Sequence, residues 1–285
     1  MPAEISIIIP CYRVEVYIER AIRSLIAQTY SHWQAVVVSD DGVDYLALLA
    51  DLGIVDYRIT QVFTDGVGTG VSHARNVGLR VCKTDYIATL DPDDVFAPNR
   101  LAGIVPLLAE HPLVMTGYIN IDDATQQIIP TQKLFAGNQE VFIKDSPKIM
   151  MNYAASYAFN RQFIRHFWYE NIRQAEDHLW ALLAYDSVKS IYYFAEASYF
   201  YYKREGSLVN SPDAPQRFQQ TKQKIVEDIK SGLISIAQPQ VREHILKIYA
   251  ISLAVEKEYE QALEHNKDVA FGDISMAHFT RAGMV

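Results

Sequence analysis

Apolar residues recur along this chain in two rhythms, and they alternate in the first half. Ile5 to Ile9 is a short apolar run that suits a strand buried on both faces, with Pro10 expected to end it. From Glu15 to Gln28, Val16, Ile18, Ala21, Ile22, Leu25 and Ile26 fall at helical spacing. Ala35 to Ser39 is a second buried strand, closed by Asp40-Asp41-Gly42. Strand, helix and strand at this spacing predict a βαβ unit with a parallel sheet. Tyr45 to Leu52 reads as a helix and Thr60 to Phe63 as a strand. Ile87 to Leu90 is a further buried strand, and it stops abruptly at Asp91-Pro92-Asp93-Asp94. A helix is expected from Pro98 to near Glu110 and a strand from Val114 to Ile121. Asp122 to Lys133 reads as irregular, with Pro130 as a breaker.

The second half is less regular. Lys148 to Phe167 mixes aromatics with Asn160-Arg161 and is expected to contain a helix. Leu179, Leu182 and Leu183 continue a helix whose first turn holds Glu176 and Asp177. The helix dipole favours carboxylates there, so a plain capping pair is one reading of them. Ile191 to Tyr202 is dense in Tyr and Phe and predicts one or two strands. Such rings fill cores, and tyrosines also pack on sugar faces. A basic loop, Lys203 to Ser207, precedes a Pro/Ser/Asp-rich boundary at Asn210 to Pro215. Helical patterns follow at Arg217 to Ile236 and Val241 to Leu263. Val241, Ile245, Ile248, Ser252, Val255, Tyr259 and Ala262 form one stripe, which packs back on the main domain or on a second subunit.

Composition narrows the classes. At 285 residues and 49% hydrophobic, the chain can bury a large α/β core with an extension. Lys plus Arg number 26 and Asp plus Glu 34, giving a net charge of −8. That argues against nonspecific binding to nucleic acid or to an anionic membrane and leaves at most peripheral contact with a membrane. Two cysteines imply no disulfide framework and fit a reducing cytoplasm. No apolar run approaches the ~18 residues of a membrane span, and a strand beginning at Ile5 leaves no room for a signal peptide.

The acidic strand end carries the candidate chemistry. Open α/β sheets bind ligands at the carboxyl ends of their strands. Mg²⁺ typically takes one or two protein carboxylates and leaves its other positions to phosphates and water. Asp91 and Asp93 share a side if the chain stays extended. The plainer reading is an acidic loop capping the next helix. A calcium loop of the EF-hand type is excluded by Val95 and Phe96. Gly66, Gly68 and Gly70 fail a dinucleotide fingerprint, whose third glycine would fall on Val71 or His73. Gly70 to Ala74 imitates a nucleophile elbow but lacks a strand directly before Ser72, which is expected to cap a helix instead. Arg75 reads as a phosphate or base contact, or as an ordinary helix-surface charge.

Several stretches occur in one order: Ser6 to Tyr12, Ser24 to Tyr30, Val37 to Gly42, Gly70 to Leu79, Asp91 to Asp94 and Glu176-Asp177. In that order they resemble the family 2 glycosyltransferases of the GT-A fold, over residues 4 to 210 or so. The resemblance implies a Rossmann-like three-layer α/β fold with a mixed, mainly parallel sheet and a C-terminal helical extension. The expected domains are 1–210 for catalysis, split into a nucleotide-sugar half (1–120) and an acceptor half (121–210), and 211–285 for the extension. It implies an inverting, metal-dependent transfer from a nucleotide-diphosphate sugar, most often a UDP-sugar, to a glycan, polysaccharide or lipid-linked acceptor. The Pro10 to Tyr12 turn and Asp40 or Asp41 would hold the base, and Arg75 would lie near base and diphosphate. Asp91 would contact the ribose, Asp93 would bind Mg²⁺ or Mn²⁺, and Asp177 would be the general base. Lys203, Arg204 and Ser207 fall where such enzymes often carry a loop that closes on the diphosphate. The implied place is cytoplasmic or at the inner face of the membrane, and a homodimer through the C-terminal helices is one arrangement. The pattern departs from the family at Arg13, usually Asn, and at Val43, usually Ser, while Asp44 is placed to start the next helix. A non-catalytic nucleotide-sugar or glycan-binding module on the same fold is the alternative. A nucleotidyltransferase would need a Gly-rich basic loop where Pro10-Cys11-Tyr12-Arg13 stands.

Overall fold

The computed structural model describes residues 4–130, 134–150, 156–204, 214–265 and 271–284. Four strands and three helices build the first half: β1 (Ile5–Cys11), α1 (Ile18–Ile26), β2 (Trp33–Ser39), α2 (Tyr45–Asp51), β3 (Ile59–Phe63), α3 (Val71–Val81) and β4 (Tyr86–Thr89). β1 pairs in parallel with both β2 and β4, and β2 with β3, so the order is β3-β2-β1-β4. The connections therefore leave β1 in opposite directions across the sheet, which opens a crevice beyond the ends of β1 and β4.

Pro10 does not end the first strand. It pairs with Val38, and the strand runs on to Cys11. Leu90 N donates to Ile8 O on the β4 side, while Asp40 N donates to Cys11 O on the β2 side. The backbone groups of Pro10 therefore point toward β4 just where that ladder has ended. Its missing N–H breaks no bond.

The remaining strands are β5 (Val95–Phe96), β6 (Leu113–Asp122), β7 (Ile128–Ile129), β8 (Gln139–Phe142), β9 (Ser156–Asn160) and β10 (Ser190–Lys203). The helices are α4 (Arg100–Leu108), α5 (Pro147–Met150), α6 (Glu176–Ala184), α7 (Ala214–Ser231), α8 (Pro239–Glu264) and α9 (Phe271–Arg281). β9 inserts antiparallel between β4 and β6, and β6 runs parallel to β10. The helix expected within Lys148 to Phe167 is α5, residues 151–155 lie outside the described residues, and the same stretch also supplies the strand β9.

Side chains of β1 alternate between two cores. Ile5, Ile7 and Ile9 pack with α1, α2 and α4, whereas Ile8 faces α3 and the cluster of Trp168 and Trp180. Gly78 lets α3 approach closely, since a Cβ there would stand 2.5 Å from Ile8 Cγ2 and 3.1 Å from Val38 Cγ2. The extension packs back on this face. Ile225, Ile229, Val241, Ile245 and Ile248 share a cluster with Trp168 and Trp180, and Val255 and Ala262 are buried as well, so five of the seven stripe residues are covered within the chain. The expected boundary at Asn210 to Pro215 and the loop position Ser207 fall largely outside the described residues.

Candidate active site

Asp91 to Asp94 form a turn at the carboxyl end of β4, closed by Asp94 N on Asp91 O at 3.0 Å. The three carboxylates separate by environment. Asp94 is 1% exposed, and both its oxygens are engaged by β10: Oδ2 accepts from Tyr199 Oη at 2.7 Å and Oδ1 from Tyr202 N at 2.9 Å. Tyr199 Oη also accepts from Asp91 N at 3.3 Å. Burial, then Asp93 and Asp91, push the Asp94 carboxyl well above its ordinary range. Asp94 is the anchor of the turn. Tyr199→Phe is expected to lower stability by about 1–3 kcal/mol, because a buried acceptor loses its donor. A fall in the urea midpoint at unchanged slope would register it.

Asp93 accepts from Arg204 Nε at 2.7 Å through Oδ2. Burial and neighbouring Asp91 still hold its carboxyl above the usual value, against the lowering by Arg204. The turn is thus short of positive charge.

Arg75 lies on α3 and is 3% exposed. Its Nη2 donates to Asp91 Oδ1 at 2.9 Å, and its Nη1 to Glu176 Oε1 at 3.0 Å and Asp177 Oδ1 at 2.7 Å. Burial opposes its charge, but Asp177, Asp91 and Glu176 outweigh that and raise its pKa. One planar fork therefore ties the β4 turn to the first turn of α6. Glu176 and Asp177 follow the cap residue of α6, Ala175, which is left-handed with φ 57°, and both accept from Arg75. Burial pushes the Asp177 carboxyl up to about 7, with Arg75 pulling down and Glu176 and Asp91 pushing up. A carboxyl titrating there is matched to proton transfer near neutral pH.

The crevice beyond β1 and β2 has its own pair of carboxylates. Asp40 is 3% exposed and accepts from Thr64 Oγ1, Thr69 N and Gly70 N at 2.9, 2.9 and 2.8 Å. It staples the glycine loop to β2. Asp41 is less buried and accepts from Arg13 N at 2.6 Å, Tyr45 Oη at 2.7 Å, Ser39 Oγ at 3.0 Å and Val43 N at 3.1 Å. Burial acts to raise the Asp41 carboxyl, but these four donors win and hold it below its ordinary value. Tyr12 is 41% exposed beside Gly68. Arg13 adopts φ 55°, the left-handed region in which Asn is at home, which accounts for Asn as the expected residue there.

The model of glycosyl transferase family 2 matches residues 6–168, more than half of the chain. The chain belongs to glycosyl transferase family 2. It is similar to the minor teichoic acid biosynthesis protein GgaB of Bacillus subtilis, 34% identical over 110 residues, which is 38% of this chain and 12% of that protein. An uncharacterized glycosyltransferase of Haemophilus influenzae is 29% identical over 208 residues, covering 69% of this chain and 78% of its own. The UDP-Glc:α-D-GlcNAc-diphosphoundecaprenol β-1,3-glucosyltransferase WfgD of Escherichia coli is 36% identical over 97 residues, 34% of this chain and 38% of that one. Among solved structures, S. aureus TarS 1–349 in complex with UDP-GlcNAc superposes with a TM-score of 0.70 at 19% identity, covering 89% of this chain and 72% of TarS. The fold is GT-A, with a mixed sheet and C-terminal helices, and the protein is a glycosyltransferase.

The family 2 residues expected from sequence are drawn to two neighbouring places. Asp91 and Asp177 meet through the Arg75 fork, with Asp93 beside them in the turn on Arg204, and Tyr12, Asp40 and Asp41 lie by the glycine loop and the turn after β1. Pro10 stands within β1 itself. Arg75 is engaged by three carboxylates, so it is no free cation at the rim. Ser72 does not cap α3; Gly70 is the cap residue, at φ 110°, and Ser72 lies buried in the first turn. Asp44 does start α2, accepting from Ala47 N at 2.9 Å. Three residues of this neighbourhood were not singled out from sequence. Tyr45 supports Asp41, Tyr199 anchors the acidic turn, and Arg173 lies along Gly70 while donating to Gly68 O at 3.0 Å.

Proposed function

We propose that this glycosyltransferase carries out an inverting, metal-dependent transfer from a nucleoside-diphosphate sugar, a UDP-sugar, to a hydroxyl of a glycan or lipid-linked acceptor. The observation that carries the reading is the placing of Asp177: a half-buried carboxyl, pushed up to about 7, that Arg75 holds against the turn ending β4. The UDP-GlcNAc complex of TarS supports the donor class, and the names of GgaB and WfgD support polymer and lipid-linked acceptors. A cytoplasmic place suits the two free cysteines, Cys11 and Cys82. No helix among the described residues is long and apolar enough to cross a membrane.

In this reading Tyr12 and Asp41 receive the base, because Asp40 lies buried under the glycine loop while Asp41 stays partly exposed. Asp91 meets the ribose. Arg75 acts through the carboxylates it holds rather than on phosphate directly. Mg²⁺ or Mn²⁺ fits the acidic turn. Asp93 is under-compensated, and Asp91, Asp93, Asp94, Glu176 and Asp177 there outnumber Arg75 and Arg204. No group of three or more metal-ligating side chains occurs among the described residues. Asp93 would then be the protein's main ligand, as suits a cation that keeps phosphate and water in its remaining positions. Held there, a cation would supply positive charge against the charge gathering on the departing diphosphate. Asp177 takes the proton from the attacking acceptor hydroxyl. The hydroxyl oxygen bonds to the anomeric carbon as the bond from that carbon to the diphosphate breaks, so the centre inverts.

Transfer should therefore follow the ionisation of Asp177. The base must be deprotonated, so kcat/KM should be low well below pH 7, rise through about 7 and level off above it. A pH–rate profile flat from 5 to 9 on the order-of-magnitude scale of that effect would remove Asp177 from the role.

A further inference from the structure

Gly66, Gly68 and Gly70 give the loop between β3 and α3 more backbone freedom to lose than an ordinary turn has. One hold on it is Asp40. Gly68 N donates to Asp40 O at 2.7 Å, and Thr69 N and Gly70 N donate to its carboxylate at 2.9 and 2.8 Å. A second hold is Arg173, whose Nη1 donates to Gly68 O at 3.0 Å. The guanidinium lies along Gly70, where a Cβ would stand 3.2 Å from Nη1 and 3.5 Å from Cζ, so glycine at 70 keeps this approach open. Gly68 also meets Tyr12. The place of its missing Cβ is 3.4 Å from both Cε2 and Oη of that ring. The exposed ring of Tyr12 therefore lies against the residue whose carbonyl Arg173 holds.

Arg173 belongs to the segment that leads into α6. Its neighbours Ile172 and Gln174 are buried, which fixes the backbone from which the exposed Arg173 side chain reaches out. One guanidinium tie thus runs from this lead-in to the glycine loop, and another runs from α3 to Asp177. We propose that Arg173 is a positioning residue for the donor's base: it holds Gly68, and through Gly68 the ring of Tyr12, where the base packs. The proposal rests on the nucleotide reading above and asks for no contact between Arg173 and the nucleotide. Without Arg173 the loop would keep its anchors on Asp40 and lose the one on Gly68 O. A charged donor makes that anchor stronger than a neutral one would. Here one N–H reaches one carbonyl, so an ammonium can replace the guanidinium, unlike at Arg75, where a planar fork spans three carboxylates.

Calorimetric titration of the full chain with UMP and with UDP, in Mn²⁺, tests it on the wild type, Arg173→Met and Arg173→Lys. Arg173 is exposed, so both variants should fold, as thermal unfolding would check. Arg173→Met should weaken UMP and UDP by the same factor, roughly tenfold, as the loss of one hydrogen bond from a charged donor allows. The donor's KM should rise by that factor while kcat stays within about twofold, because Arg75 still places Asp177. Arg173→Lys should recover most of the lost affinity. UMP binding equally well to the wild type and to Arg173→Met would overturn the proposal. So would a loss confined to UDP, which would put the guanidinium on the diphosphate. A fall in kcat at unchanged donor KM would overturn it too, by making Arg173 a support of Asp177. A wild type that binds neither UMP nor UDP would instead remove the nucleotide reading on which the proposal rests.

Discussion

Asp177→Asn is expected to slow transfer by roughly 10²–10⁴-fold while leaving donor affinity nearly unchanged. The amide keeps the shape and much of the hydrogen bonding of the carboxylate but has no basic oxygen to receive the acceptor's proton. Arg75 would lose one of its three partners and keep Asp91 and Glu176, so the fork itself survives. The effect should therefore appear in kcat with acceptor saturating, and not in the donor's dissociation constant. The pH dependence near 7 should vanish with it. A variant transferring at the wild-type rate would show that another group takes the proton.

Arg75→Met should cost more in stability than any other single change at the site. It leaves Asp91, Glu176 and Asp177 without their shared countercharge. Breaking a buried ion pair costs about 3–5 kcal/mol, and the lower end applies here. Asp91 and Asp177 keep 35% and 37% of their side-chain surface, which lets solvent screen part of the repulsion. Arg75 is also the group that pulls the Asp177 carboxyl down, so its loss should move the pH–rate midpoint above 7. Arg75→Lys should recover little, since an ammonium cannot present the planar fork that spans three carboxylates. Thermal unfolding and a pH–rate profile on the same preparations separate the two effects.

Much of this arrangement is legible in the chain because the first half is locally consistent. Ile5 to Ile9, Ala35 to Ser39 and Ile87 to Leu90 are short apolar runs, the last two closed by acidic turns, and their order predicts parallel strands with a site at their carboxyl ends. β9 is hidden for the opposite reason. Ser156–Asn160 is five residues long and owes its strand state to β4 and β6, distant in sequence. Periodicity cannot distinguish so short a run from a helix. Tyr199 is hidden differently. The register of β10 against β6 shifts between Phe194 and Ala197 and again before Tyr199. Counting alternate residues along Tyr192 to Tyr202 therefore misassigns which ring reaches the acidic turn. Asp40 and Asp41 look interchangeable in sequence, and only the glycine loop folding onto Asp40 separates them.

In the reaction proposed above, the turn after β4 would hold a nucleoside diphosphate through a divalent cation on Asp93. Titrating UDP into the protein by calorimetry, with Mn²⁺ or Mg²⁺ and then with chelator, tests it most directly. Binding should require the cation and should be lost in Asp93→Asn, while Asp177→Asn binds as the wild type does. UDP binding that is equally tight in chelator, or that survives Asp93→Asn unchanged, would contradict the account.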